Sequence, residues 1–414
     1  MPIDEEAFQI LISRAAIEAR MGLEARKGTG SPVVKLADVL LERSIDRHAS
    51  DLHLEPQADF LRVRYRIDGI LQLEKNTIPK GVENVLIARL KVMAGMDTAK
   101  HQCPQDGHIE FMSGGQQIDI RVSVLPAIHG ELMVLRFMNV EEGMLDIDEL
   151  GFTEGNKNLF KSIIEKPSGL VLISGPVNSG KSTSLYAALQ FLNKPESNLV
   201  TLENPVERIV PGINQVEINP KTGLTYMAGL KAMLRQDITA VMVGEIRDGE
   251  VASYIVRIAL TGHLIMTTLH TENAVGVIFR LREMNIPPYM IAATLTGAVA
   301  QRLVRKTCPY CQEEYEITGS SVEAQILGNR WQKGMRLKRN SGCPRCHGTG
   351  YSGRLALQEV LVISPAVREA ILQGMDRDRL QALAEKEGLR TLWQDGIEKA
   401  LEGKTTLSEL KRVL

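Results

Sequence analysis

Residues 175–182 read Gly-Pro-Val-Asn-Ser-Gly-Lys-Ser, which matches the phosphate-binding pattern G-x-x-x-x-G-K-[ST]. The apolar run 170–174 precedes this stretch and predicts a buried strand. Apolar residues then recur at helical spacing, at Leu185, Ala188, Leu189 and Leu192. A strand, a glycine loop and a helix are the setting in which backbone N–H groups surround a polyphosphate. The alternative is a plain glycine turn beside a chance lysine, and the flanking elements argue against it.

This loop predicts a nucleotide site with ATP and Mg²⁺ as its ligands. The loop backbone would wrap the phosphates, Lys181 would reach the outer ones, and the Ser182 hydroxyl would ligate Mg²⁺. The predicted binding residues are Gly175, Pro176, Val177, Asn178, Ser179, Gly180, Lys181, Ser182 and Thr183.

Composition narrows the class of protein. The 414 residues suffice for two to three domains, and 44% hydrophobic with 24% charged residues is typical of a soluble globular chain. A net charge of -1 and 4% aromatic residues disfavour direct nucleic-acid binding. No apolar run reaches the length of a membrane span, and residues 1–6 lack the features of a signal peptide. We therefore expect a cytoplasmic protein that reaches a membrane only through a partner.

The hydrophobic pattern changes along the chain, and these changes predict an α/β protein made of separate domains. Strands of alternating polarity around the turn Asp68-Gly69 indicate a small α+β domain, and strands alternating with helices after 169 indicate a mostly parallel sheet. The predicted segments are an N-terminal helix and linker at 1–33, the α+β domain at 34–140, a charged connector at 141–168, and an α/β domain at 169–414.

Polar residues follow the predicted strands of the second half. Glu203, Glu245 and His270 each come directly after an apolar run or within two residues of its end. Ligands of a parallel sheet bind at the carboxyl ends of its strands, so these groups should meet near the phosphate loop. Glu245 is our first choice for positioning the attacking water, and Glu203 is the second. Glu203 could act through the bound metal instead of on the water directly. His270 would sense the γ-phosphate. Each residue alone could equally be a solvated strand end or a structural histidine.

Four of the five cysteines form two C-x-x-C pairs, Cys308 with Cys311 and Cys343 with Cys346, separated by 31 residues. Four thiolates at this spacing suit a closed, tetrahedral and structural Zn²⁺ site, here in a module at about 305–350. A redox pair or unligated buried thiols are the competing interpretations. The fifth, Cys103, is expected to be an ordinary core residue.

From about residue 36 to its end, the chain resembles the motor ATPases of type II secretion and type IV pilus assembly. The motifs that carry the resemblance are the phosphate loop, ASDLHLEP at 49–56, RYRIDG at 64–69, RLKVMAG at 89–95, PQDG at 104–107, ENPVE at 203–207, GEIRD at 244–248, TGH at 261–263 and TTLHT at 267–271.

The resemblance implies a RecA-like P-loop ATPase domain preceded by a PAS-like domain, in a hexameric ring. It places Arg121 and Arg136 on the two arginines that reach the nucleotide from the N-terminal domain. The zinc module is typical of the assembly and secretion branch. The implied partners are the cytoplasmic parts of inner-membrane platform proteins, with the motor peripheral at the inner face of the membrane.

The sequence departs from the family pattern at four places: Val177-Asn178 for Thr-Gly, Asn204 for aspartate, Ile238-Thr239 for Pro-Asp, and Glu272 for asparagine. These changes concern the rate of turnover more than nucleotide binding. Two alternatives to a pilus or secretion motor stay open. One is a nucleic-acid or conjugation-type traffic ATPase, since RecA-like rings also translocate DNA. The other is a nucleotide-binding scaffold with weak turnover, which Asn204 and Thr239 suggest.

Overall fold

The computed structural model describes residues 4–20, 30–138 and 145–414. The chain forms two compact units, Met1–Glu142 and Gly143–Leu414. Residues 1–3 and 21–29 of the predicted N-terminal helix and linker, and positions 141–144 of the predicted connector, lie outside the described residues.

The first unit packs three helices on one face of an antiparallel sheet. The strands follow the order β3-β2-β1-β7-β6-β5, with β4 paired to β2. The elements are α1 (Glu5–Arg20), α2 (Pro32–Asp46), β1 (Ala49–Pro56), β2 (Phe60–Ile67), β3 (Ile70–Leu73), β4 (Ile78–Pro79), α3 (Lys80–Met93), β5 (Gln105–Ser113), β6 (Gln116–Ala127) and β7 (Gly130–Met138).

Alternation of polarity determines which face of this sheet is buried. In β2, Leu61, Val63 and Tyr65 are buried, while the arginines between them lie on the other face. The turn from β2 to β3 has φ of 49° at Asp68 and 82° at Gly69, as a type I′ hairpin turn requires. The predicted hairpin is thus present.

Helix α1 packs within the first unit. Its apolar stripe, Phe8, Ile12 and Ala15, is fully buried against the same core as α2 and α3. The predicted boundary at residue 33 therefore divides a continuous core. The stripe is too apolar to remain in solvent, and it makes this segment part of the unit.

The second unit contains a seven-stranded sheet with helices around it. Its elements are α4 (Glu154–Ile164), β8 (Gly169–Ser174), α5 (Lys181–Leu192), β9 (Leu199–Glu203), β10 (Asn214–Glu217), α6 (Tyr226–Met233), β11 (Ala240–Val243), α7 (Gly249–Leu260), β12 (Leu264–Leu269), α8 (Gly276–Glu283), α9 (Pro288–Thr294), β13 (Leu295–Thr307), β14 (Gln312–Glu316), α10 (Val322–Leu327), β15 (Arg336–Asn340), β16 (Tyr351–Val362), α11 (Pro365–Leu372), α12 (Arg377–Lys386), α13 (Leu392–Leu401) and α14 (Leu407–Val413).

The strand order β10-β9-β11-β12-β8-β13-β16 puts the four strands with polar ends side by side. All neighbouring strands are parallel except β13 and β16. Every residue of β8, β9, β11 and β12 is buried, because helices cover both faces of the sheet. The predicted α/β architecture is confirmed, and the carboxyl ends of these strands form one edge.

Two further segments belong to this unit. Helix α4 buries Phe160, Ile163 and Ile164 against the sheet, so residues from 145 onward pack as part of the second unit although the sequence predicts a connector there. The segment 308–350 is an insertion between β13 and β16, and it contains the two-stranded sheet of β14 and β15. Among the described residues, no helix combines the length and apolar character needed to cross a bilayer.

Candidate functional site

The phosphate loop leaves the carboxyl end of β8 in a backbone conformation that its glycines permit. A Cβ at Gly175 would lie 2.5 Å from the Gln301 carbonyl oxygen, and one at Gly180 would lie 2.7 Å from Gln301 Nε2. Gly180 has φ of 84° and immediately precedes α5. The loop therefore needs glycine at both positions, and it delivers the N-terminus of a helix to the edge of the sheet.

Lys181 points back across this loop. Its Nζ donates hydrogen bonds to the carbonyl oxygens of Gly175 at 2.9 Å and Pro176 at 2.7 Å. Burial, the largest cause, lowers the pKa of Lys181 to about 8, and Arg302 adds to the lowering while Glu245 and Glu207 oppose it. The ammonium thus lies near Glu207, which follows β9, near Glu245, which follows β11, and near Arg302 on β13.

Glu245 and His270 come together beside the loop. His270 Nδ1 lies 3.0 Å from the Gly175 carbonyl oxygen, and because a carbonyl only accepts, Nδ1 carries the proton. His270 Nε2 then faces Glu245 Oε2 at 3.9 Å. The other carboxylate oxygen accepts from Arg247 Nε at 2.5 Å. A lysine, a carboxylate and an imidazole from three parts of the chain therefore surround the start of the phosphate loop.

Glu203 occupies a different environment. Its carboxylate is buried and accepts hydrogen bonds from the Tyr186 hydroxyl, from Thr201 Oγ1 at 2.6 Å and from Gln215 Nε2 at 3.1 Å. Burial and this carboxylate together raise the pKa of Tyr186. Because three donors already satisfy its carboxylate, Glu203 is suited to fixing the shape of the loop after β9.

The four cysteines of the insertion converge. Their sulfur atoms all lie within 4.8 Å of one another. The separations are 3.9 Å from Cys308 to Cys343, 3.9 Å from Cys311 to Cys346 and 3.7 Å from Cys343 to Cys346. Zn–S bonds of about 2.3 Å in a tetrahedron require sulfur separations of about 3.8 Å. The geometry of this cluster therefore fits a zinc ion.

Backbone N–H groups donate hydrogen bonds to one sulfur of the cluster and favour its thiolate form. The N–H groups of Cys343 and Gly350 each donate to Cys346 Sγ at 3.2 Å. Burial acts to raise the pKa of Cys346, but these donors and hydrogen bonds with the Cys343 and Cys311 thiols together lower the pKa to about 6. The thiolate is the form of cysteine that binds a metal.

The cluster is remote from the phosphate loop. Ala300 of β13 is level with Ser174 at the end of β8, and Cys308 lies eight residues further along. At about 3.3 Å per residue, this corresponds to roughly 25 Å along the strand. The cysteines therefore form a cluster that is separate from the phosphate loop.

Comparisons with known proteins identify the family. A model of the family described as type II/IV secretion system protein matches residues 26–412. The type II secretion system ATPase E of Vibrio cholerae is 40% identical over 383 residues, which are 92% of this chain and 75% of that protein. The chain belongs to the type II/IV secretion system protein family.

A second relative in this secretion family is longer. The type IV pilus assembly ATPase PilB of Thermus thermophilus is 41% identical over 408 residues, which are 99% of this chain but 45% of that protein. The chain thus spans less than half of that relative. The predicted membership in the family of secretion and pilus-assembly ATPases is confirmed.

Two solved structures share the fold. The Legionella pneumophila ATPase DotB has a TM-score of 0.66 at 21% identity, covering 91% of this chain and 94% of that one. The pilus retraction motor PilT with bound ADP has a TM-score of 0.58 at 23% identity, covering 91% and 96%. The predicted RecA-like architecture is confirmed.

Three departures from the pattern of the secretion family have local explanations. Asn178 has φ of 63°, a left-handed conformation that asparagine tolerates better than most residues. Thr239 precedes β11, and its N–H and hydroxyl both pair with Asn198. This position is at the amino end of the strand, whereas Glu245 follows the carboxyl end. Glu272 pairs with Arg377 at 3.2 Å through its carboxylate.

The two arginines expected to act from the first unit are neighbours. Arg121 on β6 lies directly opposite Arg136 on β7. Arg136 Nε donates to Asp51 Oδ1 at 2.9 Å, while the Arg136 side chain is 60% exposed. Both therefore lie on the polar face of the first sheet.

Sequence reasoning missed three residues near the phosphate loop of this secretion-family chain. Gln301 is buried and accepts from Ser184 Oγ at 2.9 Å, beneath the phosphate loop. Arg302 and the exposed Glu207 both lie close enough to Lys181 to influence its pKa. A signal existed for the pair 301–302, because two polar residues interrupt an apolar strand. Glu207 is the second carboxylate of the motif at 203–207.

One cysteine prediction is wrong. Cys103 is exposed, in the connection between α3 and β5. Its place in an irregular segment at the surface explains the error, since composition alone favours burial of cysteine.

Proposed function

We propose that this chain is a cytoplasmic motor that couples Mg·ATP hydrolysis to assembly of a type IV pilus or of a type II secretion pseudopilus. The observation that carries the proposal is the convergence of Lys181, Glu245 and His270 at the carboxyl edge of the parallel sheet. Phosphoryl transfer to water depends mainly on positioning and charge stabilisation, which these groups provide. The relatives named above supply the type of process.

The roles follow from the geometry. Lys181 exchanges its bonds to the loop carbonyls for the outer phosphates, and the loop N–H groups hold the rest. Mg²⁺, when bound at Ser182, neutralises charge on the phosphates. Glu245 positions the attacking water and is itself oriented by Arg247. His270, anchored through Nδ1, presents Nε2 toward the same place.

The two carboxylates of the loop after β9 are assigned different tasks. Glu203 is buried with three donors, so it acts as a positioning residue for this loop. Glu207 is exposed and influences the pKa of Lys181, so it is the carboxylate of this loop available to metal-bound water or to the nucleotide. Asn204, between them, is exposed and leaves the buried network intact.

The assembly that we propose is a homo-hexamer docked on the cytoplasmic parts of inner-membrane platform proteins. Cys308, Cys311, Cys343 and Cys346 hold one Zn²⁺, which stabilises the insertion between β13 and β16 and takes no part in hydrolysis. No direct contact with nucleic acid is required.

Phosphate release by the assembled protein tests the function. A motor shows steady Mg·ATP hydrolysis that depends on assembly, whereas nucleotide binding without turnover would identify a scaffold. Salt-sensitive affinity for DNA, together with hydrolysis stimulated by DNA, would instead identify a nucleic-acid motor.

Glu245→Gln is expected to retain nucleotide binding and to lower the rate of hydrolysis by about 100-fold. The amide keeps the size of the side chain but loses the charge that orients water. Single-turnover kinetics measures the chemical step, and the exposed Glu250→Gln on α7 serves as the matched control. Loss of binding with an unchanged chemical step would make Glu245 a binding residue.

Arg121→Ala and Arg136→Ala are expected to lower turnover by about 10-fold or more while changing nucleotide affinity much less. Cations that reach the γ-phosphate only on domain closure act mainly on the transition state. Steady-state kinetics of assembled protein measures both parameters, with the exposed Arg14→Ala on α1 as control. Full activity in both variants would leave these residues as surface arginines.

A further inference from the structure

Arg302 lies where the phosphate loop begins. Ala300 on β13 is level with Ser174, the last residue of β8, so Arg302 is two residues beyond that edge, about 7 Å along the strand. Strand β12 borders β8 on its other side, and Leu269 is also level with Ser174. The loop 270–273, which carries His270, therefore starts at the same edge of the sheet as Arg302. The two lie on opposite sides of β8.

The guanidinium of Arg302 bridges this gap. One terminal nitrogen donates to the carbonyl oxygen of Gln301 at 2.9 Å, and the other donates to that of Glu272 at 2.9 Å. A side chain from β13 that reaches the loop after β12 must cross the carboxyl end of β8. Arg302 thus spans the start of the phosphate loop and holds the loop 270–273 on its far side.

Other elements also fix the loop 270–273. The carboxylate of Glu272 pairs with Arg377 on α12 at 3.2 Å. Ala274, which follows the loop, donates its N–H to the buried carboxylate of Glu359 on β16 at 2.8 Å. His270 Nδ1 contacts the Gly175 carbonyl oxygen of the phosphate loop. Arg302 connects this loop to β13, the strand that borders β8.

The positive charge of Arg302 also lies beside the phosphate loop. In the part of the chain that the structure describes, its guanidinium forms no ion pair, although it is half-buried. Burial lowers the pKa of Arg302, while the carboxylates of Glu272 and Glu359 act against the lowering. A desolvated cation that contacts only carbonyl oxygens is available to a phosphate at the adjacent loop.

We infer that Arg302 is a positioning residue of the nucleotide site, which fixes the His270 loop across the phosphate loop and adds a second positive charge beside Lys181. The inference rests on the proposed function, because it concerns the same ATP site. A planar guanidinium can bridge two carbonyl oxygens, whereas an ammonium on a flexible stem keeps the charge but not the bridge. The two contributions of Arg302 are therefore separable by substitution.

Arg302→Gln removes the charge and the bridge, and we expect turnover to fall by about 10- to 100-fold because His270 is misplaced. Arg302→Lys keeps the charge, and its turnover should also fall. In a double-mutant cycle, Arg302→Gln should have little further effect on turnover in a His270→Ala background. The exposed Arg336→Gln on β15 is the matched control.

The affinity for Mg·ATP isolates the charge. Arg302→Gln removes a positive charge from the surroundings of Lys181, so we expect the affinity for Mg·ATP to fall by about 10-fold. Arg302→Lys keeps the charge and should bind Mg·ATP with an affinity close to that of the wild type.

Titration with Mg·ATP measures this affinity without requiring turnover. Wild-type protein that binds but does not hydrolyse ATP would remove the motor function and leave the test of Arg302 intact. Unchanged affinity for Mg·ATP in a folded Arg302→Gln protein, or turnover losses that add fully to those of His270→Ala, would overturn the inference. Thermal melting of both Arg302 variants establishes that they fold.

Discussion

Lys181→Ala is expected to reduce ATP hydrolysis by about 1000-fold or more and to leave the folded protein intact. The lysine is the first residue of α5, and its ammonium bonds only to two carbonyl oxygens of the phosphate loop. Those carbonyls can turn to water when the side chain is removed. The phosphates, in contrast, lose the cation closest to the charge that develops during transfer.

Steady-state phosphate release at saturating Mg·ATP, with thermal melting in the absence of nucleotide, measures both parts of this expectation. Lys166→Ala is the matched control, since Lys166 is exposed beyond the end of α4. Turnover of Lys181→Ala near that of the wild type would remove the assignment of the phosphate loop. A large fall in melting temperature would mean that the lysine stabilises the fold.

Removal of zinc is expected to unfold the insertion between β13 and β16 while sparing the nucleotide site. Structural zinc sites contribute about 10–16 kcal/mol of binding free energy, far more than a short two-stranded sheet can supply. Three sulfur separations near 3.8 Å show that the fold already gathers the ligands. The distance to the phosphate loop explains why the effect should stay local.

Elemental analysis should find one zinc per chain, and Cys343→Ser or chelation should increase hydrogen exchange over residues 305–350. Cys103→Ser provides a matched control, because this cysteine is exposed and belongs to the other unit. Nucleotide affinity should persist after metal removal. Carefully purified protein without zinc would contradict the site, and loss of nucleotide binding in step with the metal would place the ion at the catalytic centre.

Short-range patterns sufficed for the central architecture. The buried run before the phosphate loop, the helix after it and the polar residues at the ends of β9, β11 and β12 were all predicted, and these strands are neighbours. The turn at Asp68-Gly69 and the convergence of the four cysteines follow from spacing in the same way. These features depend on the periodicity of strands and helices and on the chemistry of residues close in sequence.

Long-range packing determined how the site residues are used. Glu203 accepts hydrogen bonds from Tyr186 on α5 and from Gln215 on β10. The motif at 203–207 cannot reveal these donors, because they lie far from it in the sequence or on another element. The packing of α1 within the first unit likewise depends on a core formed by distant strands. Position in a motif therefore predicted where the carboxylates of the candidate site lie but not the surroundings of each one.

The sequence by itself determined that a phosphate loop, two carboxylates and a histidine follow the strands of one parallel sheet, because local periodicity and short motifs encode strand ends. Only the tertiary structure decided that Arg302 bridges from β13 to the loop after β12. That contact joins residues 30 positions apart in the chain and depends on the order β12-β8-β13. Strand order arises from the packing of the whole sheet, so no local pattern contains it.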